Sequence, residues 1–456
     1  MREKSARIRA IVGLTACLIL VLLPAEAWAI PAFARKYKTS CQTCHVAFPQ
    51  ATPFGEAFRL NGYRFPSGGD VDAAKVEEIE LGAEGYKKVW PEAVWPTTLT
   101  WVPPISIFMA GEATYTPNTR VLDRPGTSFN DLNGHSEIMA GGTLGESFSY
   151  FVEFEFATSP ENGDDVLTEG AGAEIAVERT FVIYRPLEKP LLNFKIGLFE
   201  PGISNVAAAR RLTRSTYLLT KEGRPGQNNF STDDANRGIE AFGVTGSGRL
   251  LYNLGVIEGN RDAPTALSEK DVYLRLAYKL GGLRLDGEVE DTKALMSNPR
   301  PWAEQSVTFS VAGLTGTANV DDGADGIRDP FNMLVADAKV IFDDASITVG
   351  GNIRSDKSAE VVAAGTADRV NSSNIFVEAQ YVVFPWFIPI ARYENFNETF
   401  HNARQRIDVT LNFLMRANVK ATLFYVYDAA IGDEGDDAKV GGRNNNIFGA
   451  GLALAF

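Results

Sequence analysis

The stretch FSYFVEFEF, residues 148–156, decides the fold class. Its even-numbered residues are all aromatic or aliphatic, whereas its odd-numbered residues include Ser149, Glu153 and Glu155. Successive side chains of a β-strand point to opposite faces, so a period of two predicts a strand with one apolar face and one polar face. The same period returns at 272–280 and 407–413. From residue 105 to residue 456 the sequence therefore predicts an all-β structure.

Alternation alone does not separate a soluble sandwich from a membrane barrel, but the connections between the strands do. About sixteen strand-like runs begin near residues 105, 135, 148, 174, 191, 238, 249, 270, 283, 331, 345, 373, 387, 404, 417 and 445. Residues 306–314 are a further candidate strand. Tight turns alternate with long polar loops, as periplasmic turns and extracellular loops do, and the last strand ends on Phe456. We expect a transmembrane antiparallel β-barrel, embedded in the lipid of the bacterial outer membrane.

The first 29 residues have the features of a secretory signal peptide. A basic start precedes an apolar core at 10–23, and Ala27-Trp28-Ala29 matches a cleavage site. The chain of 456 residues carries a formal net charge of -13, which argues against a nucleic-acid partner and fits a cationic one. Porins of this size often form trimers, but no interface pattern in the sequence decides the oligomeric state.

The motif CQTCH, residues 41–45, matches the attachment site of a c-type haem. In this interpretation Cys41 and Cys44 bind one haem c covalently, and His45 is the proximal ligand of its iron. A thioredoxin-like dithiol, half of a zinc site and a structural disulfide are the rival interpretations, but the sequence shows neither a βαβ pattern nor two further zinc ligands nearby. Residues 30–89 are therefore predicted to form a small α-helical cytochrome segment, followed by a linker at 90–104. Several aromatic residues are expected to pack on the porphyrin: Phe33, Tyr37, Phe48, Phe54, Phe58 and Tyr63.

The predicted haem segment contains no second His and no Met, so a distal iron ligand must come from the barrel. By strand parity His135 and Met139 point into the lumen, whereas Met109 points to lipid. Met333 also points inward, and His401 lies in an outer loop. We expect Met139 or His135 to be the distal ligand, ahead of Met333. The alternative is that Met139 only packs in the lumen.

With these features the chain resembles the fused monohaem cytochrome–porins of the outer membrane, among them the Fe(II) oxidases of iron-oxidising bacteria. The resemblance covers the leader, the segments PAFARKY-x-x-x-C-x-x-C-H and FP-x-x-x-PFGEAFRLNGYRF, and the barrel to Phe456. It implies an iron-oxidising cytochrome that takes electrons from an extracellular donor, Fe(II) in the first place. The haem at Cys41, Cys44 and His45 would then pass them to a periplasmic c-type cytochrome.

The height of a barrel constrains where such a haem can lie. The apolar band is about 25 Å tall, too far for rapid tunnelling from one side to the other, so residues 30–66 are predicted to plug the barrel. Arg210, Arg211 and Arg214 belong to a long loop at 202–237 that could fold into the lumen and line a constriction. Two other functions stay open. One is a porin for solute transport or sensing, with the haem segment as plug or gate. The other is a haem peroxidase, and the presence of only three His residues makes its case weak.

Overall fold

A computed structural model gives the structure of the chain. It describes residues 32–37, 39–66, 78–80, 98–100, 105–117, 125–129, 135–144, 146–157, 174–221, 232, 235–259, 270–290, 295, 297–320, 327–357, 369–398, 403–431 and 445–456. The predicted signal peptide, much of the predicted cytochrome segment beyond residue 66 and most of the predicted linker lie outside the described residues.

Residues 32–66, called the N-terminal segment below, form short elements. These are α1 (Ala32–Tyr37), α2 (Cys41–Cys44), β1 (His45–Ala47), β2 (Gln50–Ala51) and α3 (Pro53–Leu60). Thr52 begins α3, because its hydroxyl accepts a hydrogen bond from the Gly55 N–H at 3.1 Å and Pro53 tolerates the first turn. A separate two-stranded pair joins β3 (Glu78–Glu80) to β4 (Thr98–Thr100). None of the described helices is long and apolar enough to cross a membrane.

The rest of the described chain is a closed antiparallel barrel of sixteen strands, as the sequence predicts. Its strands are β5 (Ile105–Thr116), β7 (His135–Leu144), β8 (Phe148–Ala157), β9 (Glu174–Tyr184), β10 (Asn193–Phe199), β11 (Asn236–Thr245), β12 (Leu250–Ile257), β13 (Asp271–Gly281), β14 (Glu304–Val320), β15 (Ile327–Asp343), β16 (Ala345–Asp356), β17 (Val370–Tyr381), β18 (Phe387–Glu398), β19 (Ala403–Arg416), β20 (Val419–Ile431) and β21 (Asn445–Ala455). The short β6 (Gly126–Ser128) extends the sheet beside the end of β5. Pairing of β21 with β5, from Phe448 opposite Tyr115 to Ala455 opposite Phe108, closes the barrel.

The barrel is apolar outside and polar inside, the reverse of a soluble sandwich. Strand β13 shows this most clearly: Leu274 and Leu276 are 49% and 43% exposed on the outer face. Arg275 and Lys279, on the other face of the same strand, are buried in the lumen. Met109 on β5 is exposed with the outer set, as its parity predicts. Apolar side chains on the outside fit hydrocarbon, so the barrel is built for lipid.

The predicted strand count is correct, but one predicted strand is misplaced. Residues 283–290 are a turn region and not a strand, whereas 304–320 form β14. Gly282 and Gly287 adopt positive φ angles of 56° and 68°, which interrupts extended backbone before and within the predicted strand. Residues 282–290 and 297–303, between β13 and β14, therefore lie at the end of the barrel where β5 begins and β21 ends.

The lipid face of β13 can be tested at Leu276, near the middle of the strand. We expect Leu276→Arg to lower the free energy of unfolding by about 2–4 kcal/mol, because a cation then faces the middle of the hydrocarbon. Guanidinium unfolding in phospholipid vesicles measures this difference. Leu276→Phe keeps the face apolar and should unfold like the parent, and equal stability of the Arg variant would contradict the assigned face.

Candidate functional site

The three residues of the predicted haem motif lie on one turn of the N-terminal segment. The Ser40 hydroxyl accepts a hydrogen bond from the Gln42 N–H at 3.2 Å, which begins α2. The backbone N–H of His45 donates to the carbonyl of Cys41 and ends the helix. Both cysteines are free thiols. The Nδ1 atom of His45 is buried without a hydrogen-bond partner in the described part of the chain.

The aromatic side chains around this turn pack mainly on one another. The ring centroids of Tyr37 and Phe65 are 4.2 Å apart, and those of Phe54 and Phe65 are 5.3 Å apart. Phe58 joins this cluster, with its ring centroid 5.5 Å from that of Tyr37. The His45 ring contacts Phe48, at 5.4 Å between centroids. The segment thus has a small aromatic core of its own where the sequence predicts a porphyrin.

The prediction of one covalently attached haem c is wrong. The described residues contain no group of three or more His, Cys, Asp or Glu side chains that could hold a metal ion. Helix α3 lies directly against the motif, since a Cβ atom on Gly55 would be 2.0 Å from the Cys44 carbonyl oxygen. Burial and repulsion by Cys41 raise the pKa of the Cys44 thiol to about 12, which disfavours the thiolate. The separate roles of Cys41, Cys44 and His45 stay predictions.

The distal-ligand role of Met139 or His135 stays a prediction, and the structure describes the position of Met139 in the barrel. Met139 pairs across the sheet with Glu153, a residue buried in the lumen, so its inward orientation agrees with the parity argument. Met333 is also buried, and the Nδ2 atom of Asn352 lies 3.4 Å from its sulfur. The side chain of His135 lies outside the described part of the structure, as does His401. What the structure shows for Met139 is its place on the lumen face.

The N-terminal segment lies against the inner wall of the barrel and is bound to it by hydrogen bonds from several directions. They join Lys36 Nζ to Thr143 Oγ1 (2.9 Å), Gln42 Nε2 to the Pro385 carbonyl (3.0 Å), Lys420 Nζ to the Phe48 carbonyl (2.7 Å), Arg185 Nη1 to the Asn61 carbonyl (2.6 Å) and Asn61 Nδ2 to the Asp286 carbonyl (2.8 Å). Leu283 and Leu295, between β13 and β14, also pack on it beside the aromatic core. The segment is therefore anchored to wall and turn residues widely separated in sequence.

A second piece of chain enters the lumen between β10 and β11. Residues 200–221, called the inward loop below, are bound to the far wall. The Tyr217 hydroxyl donates to Glu378 at 2.9 Å, and the Leu218 N–H donates to Glu394 at 2.7 Å. The Arg392 guanidinium is fully buried 4.0 Å from the centre of the Tyr217 ring. The predicted folding of this loop into the lumen is therefore confirmed.

The N-terminal segment meets the inward loop through ion pairs. Glu56 on α3 lies 2.8 Å from Arg59 and 3.8 Å from Arg210 of the loop, and Arg210 lies 3.9 Å from Glu200. Burial by itself would raise the pKa of Glu56, but the charges of Arg59 and Arg210 outweigh it and lower that pKa to about 2. Arg211 donates instead to the Ala208 carbonyl, and Arg214 pairs with Glu112 of the wall at 2.8 Å. Arg210, one of the three predicted arginines, therefore joins the segment to the loop.

Two cavities of about 30 Å³ each lie at this junction and share Val206, Ala207 and Arg210 in their linings. The first is lined by four cationic side chains, namely those of Arg59, Lys195, Arg210 and Arg275. Its acidic side chains are those of Glu200 and Glu240. The second is lined by Arg210 and Lys339 with Glu56 and Glu378. Two carboxylates outside the lining of the first cavity offset its positive charge: Glu56 pairs with Arg59 and Arg210, and the charge of Asp337 acts on Arg275.

The barrel and its lumen can now be compared with known proteins. Among solved structures, an anion-selective porin from Comamonas acidovorans matches 77% of this chain and 98% of its own length, with 13% identity and a TM-score of 0.54. The chain has a porin fold. Two further matches cover the same share of the chain: OmpT of Vibrio cholerae (11% identity, 97% of its length, TM-score 0.49) and OmpF of Salmonella typhi in complex with daunomycin (12%, 97%, 0.49).

No protein-family model matches the chain. No curated protein matches it by sequence. The porin fold and the lipid-facing outer belt place the chain in the bacterial outer membrane, as predicted. The match to the Comamonas porin leaves 23% of the chain uncovered, and no family model matches that part.

The sequence analysis missed most of the charged residues at the junction. The first cavity is lined by Arg59, Lys195, Glu240 and Arg275, and the second by Glu56, yet only Arg210 was singled out. A signal for three of them was present. Lys195 is the single charge of β10, and parity puts Lys195, Glu240 and Arg275 on the lumen face of their strands.

The charge of Glu56 predicts how the junction responds to acid. A carboxyl group with a lowered pKa stabilises the fold above its ordinary value of 4.5, and this contribution is lost as the pH falls towards 2. We therefore expect pepsin to cut α3 slowly at pH 4 and faster at pH 2, as mass spectrometry of the peptides would show. Glu56→Gln should be cut rapidly at both pH values. A parent chain cut at equal rates at pH 4 and pH 2 would contradict the ion-pair assignment.

Proposed function

We propose that the chain is an outer-membrane channel of the porin kind, through which small solutes pass along a charged lumen. The N-terminal segment and the inward loop narrow that path and act as its gate. The observation that carries the proposal is the lumen itself: its wall is lined with charged side chains, and the two inserted pieces meet inside it, with two cavities of about 30 Å³ each at their junction. Passage then requires a movement of the segment or the loop.

The way the segment is held supports a gate in preference to a permanent seal. Separate hydrogen bonds hold the segment against the wall. Examples are those from Lys420 Nζ to the Phe48 carbonyl at 2.7 Å and from Gln42 Nε2 to the Pro385 carbonyl at 3.0 Å. A hydrogen bond to a charged group contributes about 1.5–3 kcal/mol. A few such bonds can be broken together at a cost well below that of unfolding a barrel strand.

Oxidation of an extracellular donor such as Fe(II), with transfer of the electron to a periplasmic c-type cytochrome, stays a prediction. Assembly into an oligomer likewise stays a prediction.

Conductance in planar lipid bilayers tests the channel. We expect the parent chain to show a small ionic conductance. Lys420→Met should raise the occupancy of a larger conducting state about tenfold, because the hydrogen bond from Lys420 to the segment is lost. Lys270→Met is the matched control, since Lys270 is exposed and lies 3.6 Å from Glu258, away from the segment.

The control variant should behave like the parent. If both the parent and Lys420→Met inserted into the bilayer and neither passed ions, the channel proposal would be overturned. A Lys270→Met variant with the same gain in conductance would show that the effect does not arise from the Phe48 contact.

A further inference from the structure

Two basic residues lie on the outer surface of the barrel where β16 ends and β17 begins. The last register pair of these strands joins Asp356 to Val370, and Lys357 and Arg369 are the next residue along each strand. Asp356 and Val370 are buried on the lumen face, whereas Lys357 and Arg369 are exposed. Because side chains alternate along a strand, both cations lie on the outer face of neighbouring strands.

These cations lie at the level of the lipid headgroups. They are at the end of the barrel from which the inward loop starts, opposite the end where β5 begins and β21 ends, and long connections of bacterial barrels face the outside. On the same face, closer to the middle of the strands, Ile353 and Ile375 are 60% and 62% exposed to lipid. A strand rises about 3.3 Å per residue and is tilted by about 40°, so Lys357 lies roughly 10 Å further out than Ile353.

Neither cation has an acidic partner within the described part of the chain. The nearest carboxylate in sequence among the described residues, that of Asp356, faces the lumen and lies 2.9 Å from Arg354 Nε. The Arg369 guanidinium donates instead to a neutral oxygen, Ser355 Oγ, at 3.2 Å. Lys357 and Arg369 therefore bring two positive charges to this part of the outer rim, in a chain of net charge -13.

The other described cations of this outer rim are arranged differently. Arg237, before the apolar part of β11, lies 3.7 Å from Glu258. Lys270, before β13, lies 3.6 Å from the same carboxylate. A carboxylate thus accompanies the basic residues on the β11–β13 side of the rim. The positive charge on the β16–β17 side has a different role.

Neutral polar residues surround the two cations on the outer face. Ser355 lies opposite Asn371 in the pairing of β16 with β17, and Ser373 lies opposite Asn397 in the pairing of β17 with β18. These hydroxyl and amide groups separate the cations from the isoleucines below them. Such groups donate and accept hydrogen bonds, as the hydroxyls of a sugar do.

We propose that this surface, called the rim site below, binds the phosphorylated headgroup of a glycolipid of the outer leaflet. Lys357 and Arg369 attract its phosphate, for which the fork of a guanidinium group is well matched. Basic residues near a membrane surface strengthen the attraction to anionic lipids. The neutral polar residues face the sugars, and the acyl chains lie along Ile353 and Ile375. A free phosphate ion would meet only the cations, whereas the glycolipid meets all three layers.

The rim site goes beyond the proposed channel and does not depend on it. It lies on the outer face of the barrel, whereas the N-terminal segment and the inward loop lie in the lumen. Binding therefore needs no ion flow and no movement of the gate. Its effect is to fix the depth and the orientation of the barrel relative to the outer leaflet.

Native mass spectrometry of the full chain in detergent micelles tests the rim site. The probe is diphosphoryl lipid A, compared with the same glycolipid after removal of both phosphates. We expect the parent chain to bind the phosphorylated form about tenfold more tightly, because two cations attract its phosphates. The double variant Lys357→Gln/Arg369→Gln should lose this preference. An excess of inorganic phosphate should leave the glycolipid bound.

Arg237→Gln/Lys270→Gln is the matched control, because it removes the same charge from the same rim, where both cations already interact with Glu258. It should keep the preference of the parent. Equal binding of the two glycolipids by the parent, which needs no variant, would overturn the site. So would an unchanged preference in the folded double variant, an equal loss in the control, or release by inorganic phosphate. Circular dichroism and migration as the folded form on unheated gels establish that each variant retains its barrel.

Discussion

The structure depends on one constraint: a chain that crosses hydrocarbon must pair every backbone N–H and C=O group within itself. A closed sheet meets this requirement, and pairing of β21 with β5 removes the last free edge. Closure also forces the inversion of the faces, because alternate side chains of each strand must meet lipid. The polar set is left to fill the interior, where Arg275, Lys279 and Glu240 are buried.

Burial of so many ionic groups is tolerated because they are arranged in pairs and networks. Arg392 shows the arrangement: it lies within 3.1 Å of Glu394 and 3.4 Å of Glu378, and donates to the backbone of the inward loop. The wall thus uses its charges to fix an inserted piece of chain, instead of leaving them in open water. Removal of one partner from such a network leaves a buried charge uncompensated, which costs more than the pair itself gains.

Much of the barrel could be predicted from the sequence, because a period of two persists wherever one face meets lipid. The strands at 148–157 and 271–281 follow from pattern alone. The error at 283–290 has a local cause: Leu283, Leu285 and Arg284 alternate as a strand would, but glycines in left-handed conformations turn the chain there. Strand β14 was undervalued because small residues such as Ser310 and Ala312 occupy its lumen face, which weakens the polar half of the pattern.

The lumen could not be predicted in the same way, because its contacts join residues far apart in sequence. Arg210 was recognised as part of a loop that could enter the lumen, but its neighbours Glu56 and Arg275 are set by closure of the barrel and not by spacing. The motif at 41–45 shows that a specific local spacing can also predict a feature that the structure does not support. Its spacing is typical of haem attachment, yet α3 and the aromatic core lie against it, and the described residues form no metal site around it.

The N-terminal segment and the inward loop depend on each other because neither has a large core. The segment has four buried aromatic rings at its centre, and the loop is held by polar contacts such as that of Tyr217 with Glu378. A segment of this size buries too little apolar surface to be stable by itself. Its position is therefore determined by the wall and by Arg210 of the loop, so a change in charge at the junction acts on both pieces together. That coupling is what allows a few side chains to control a path through a rigid barrel.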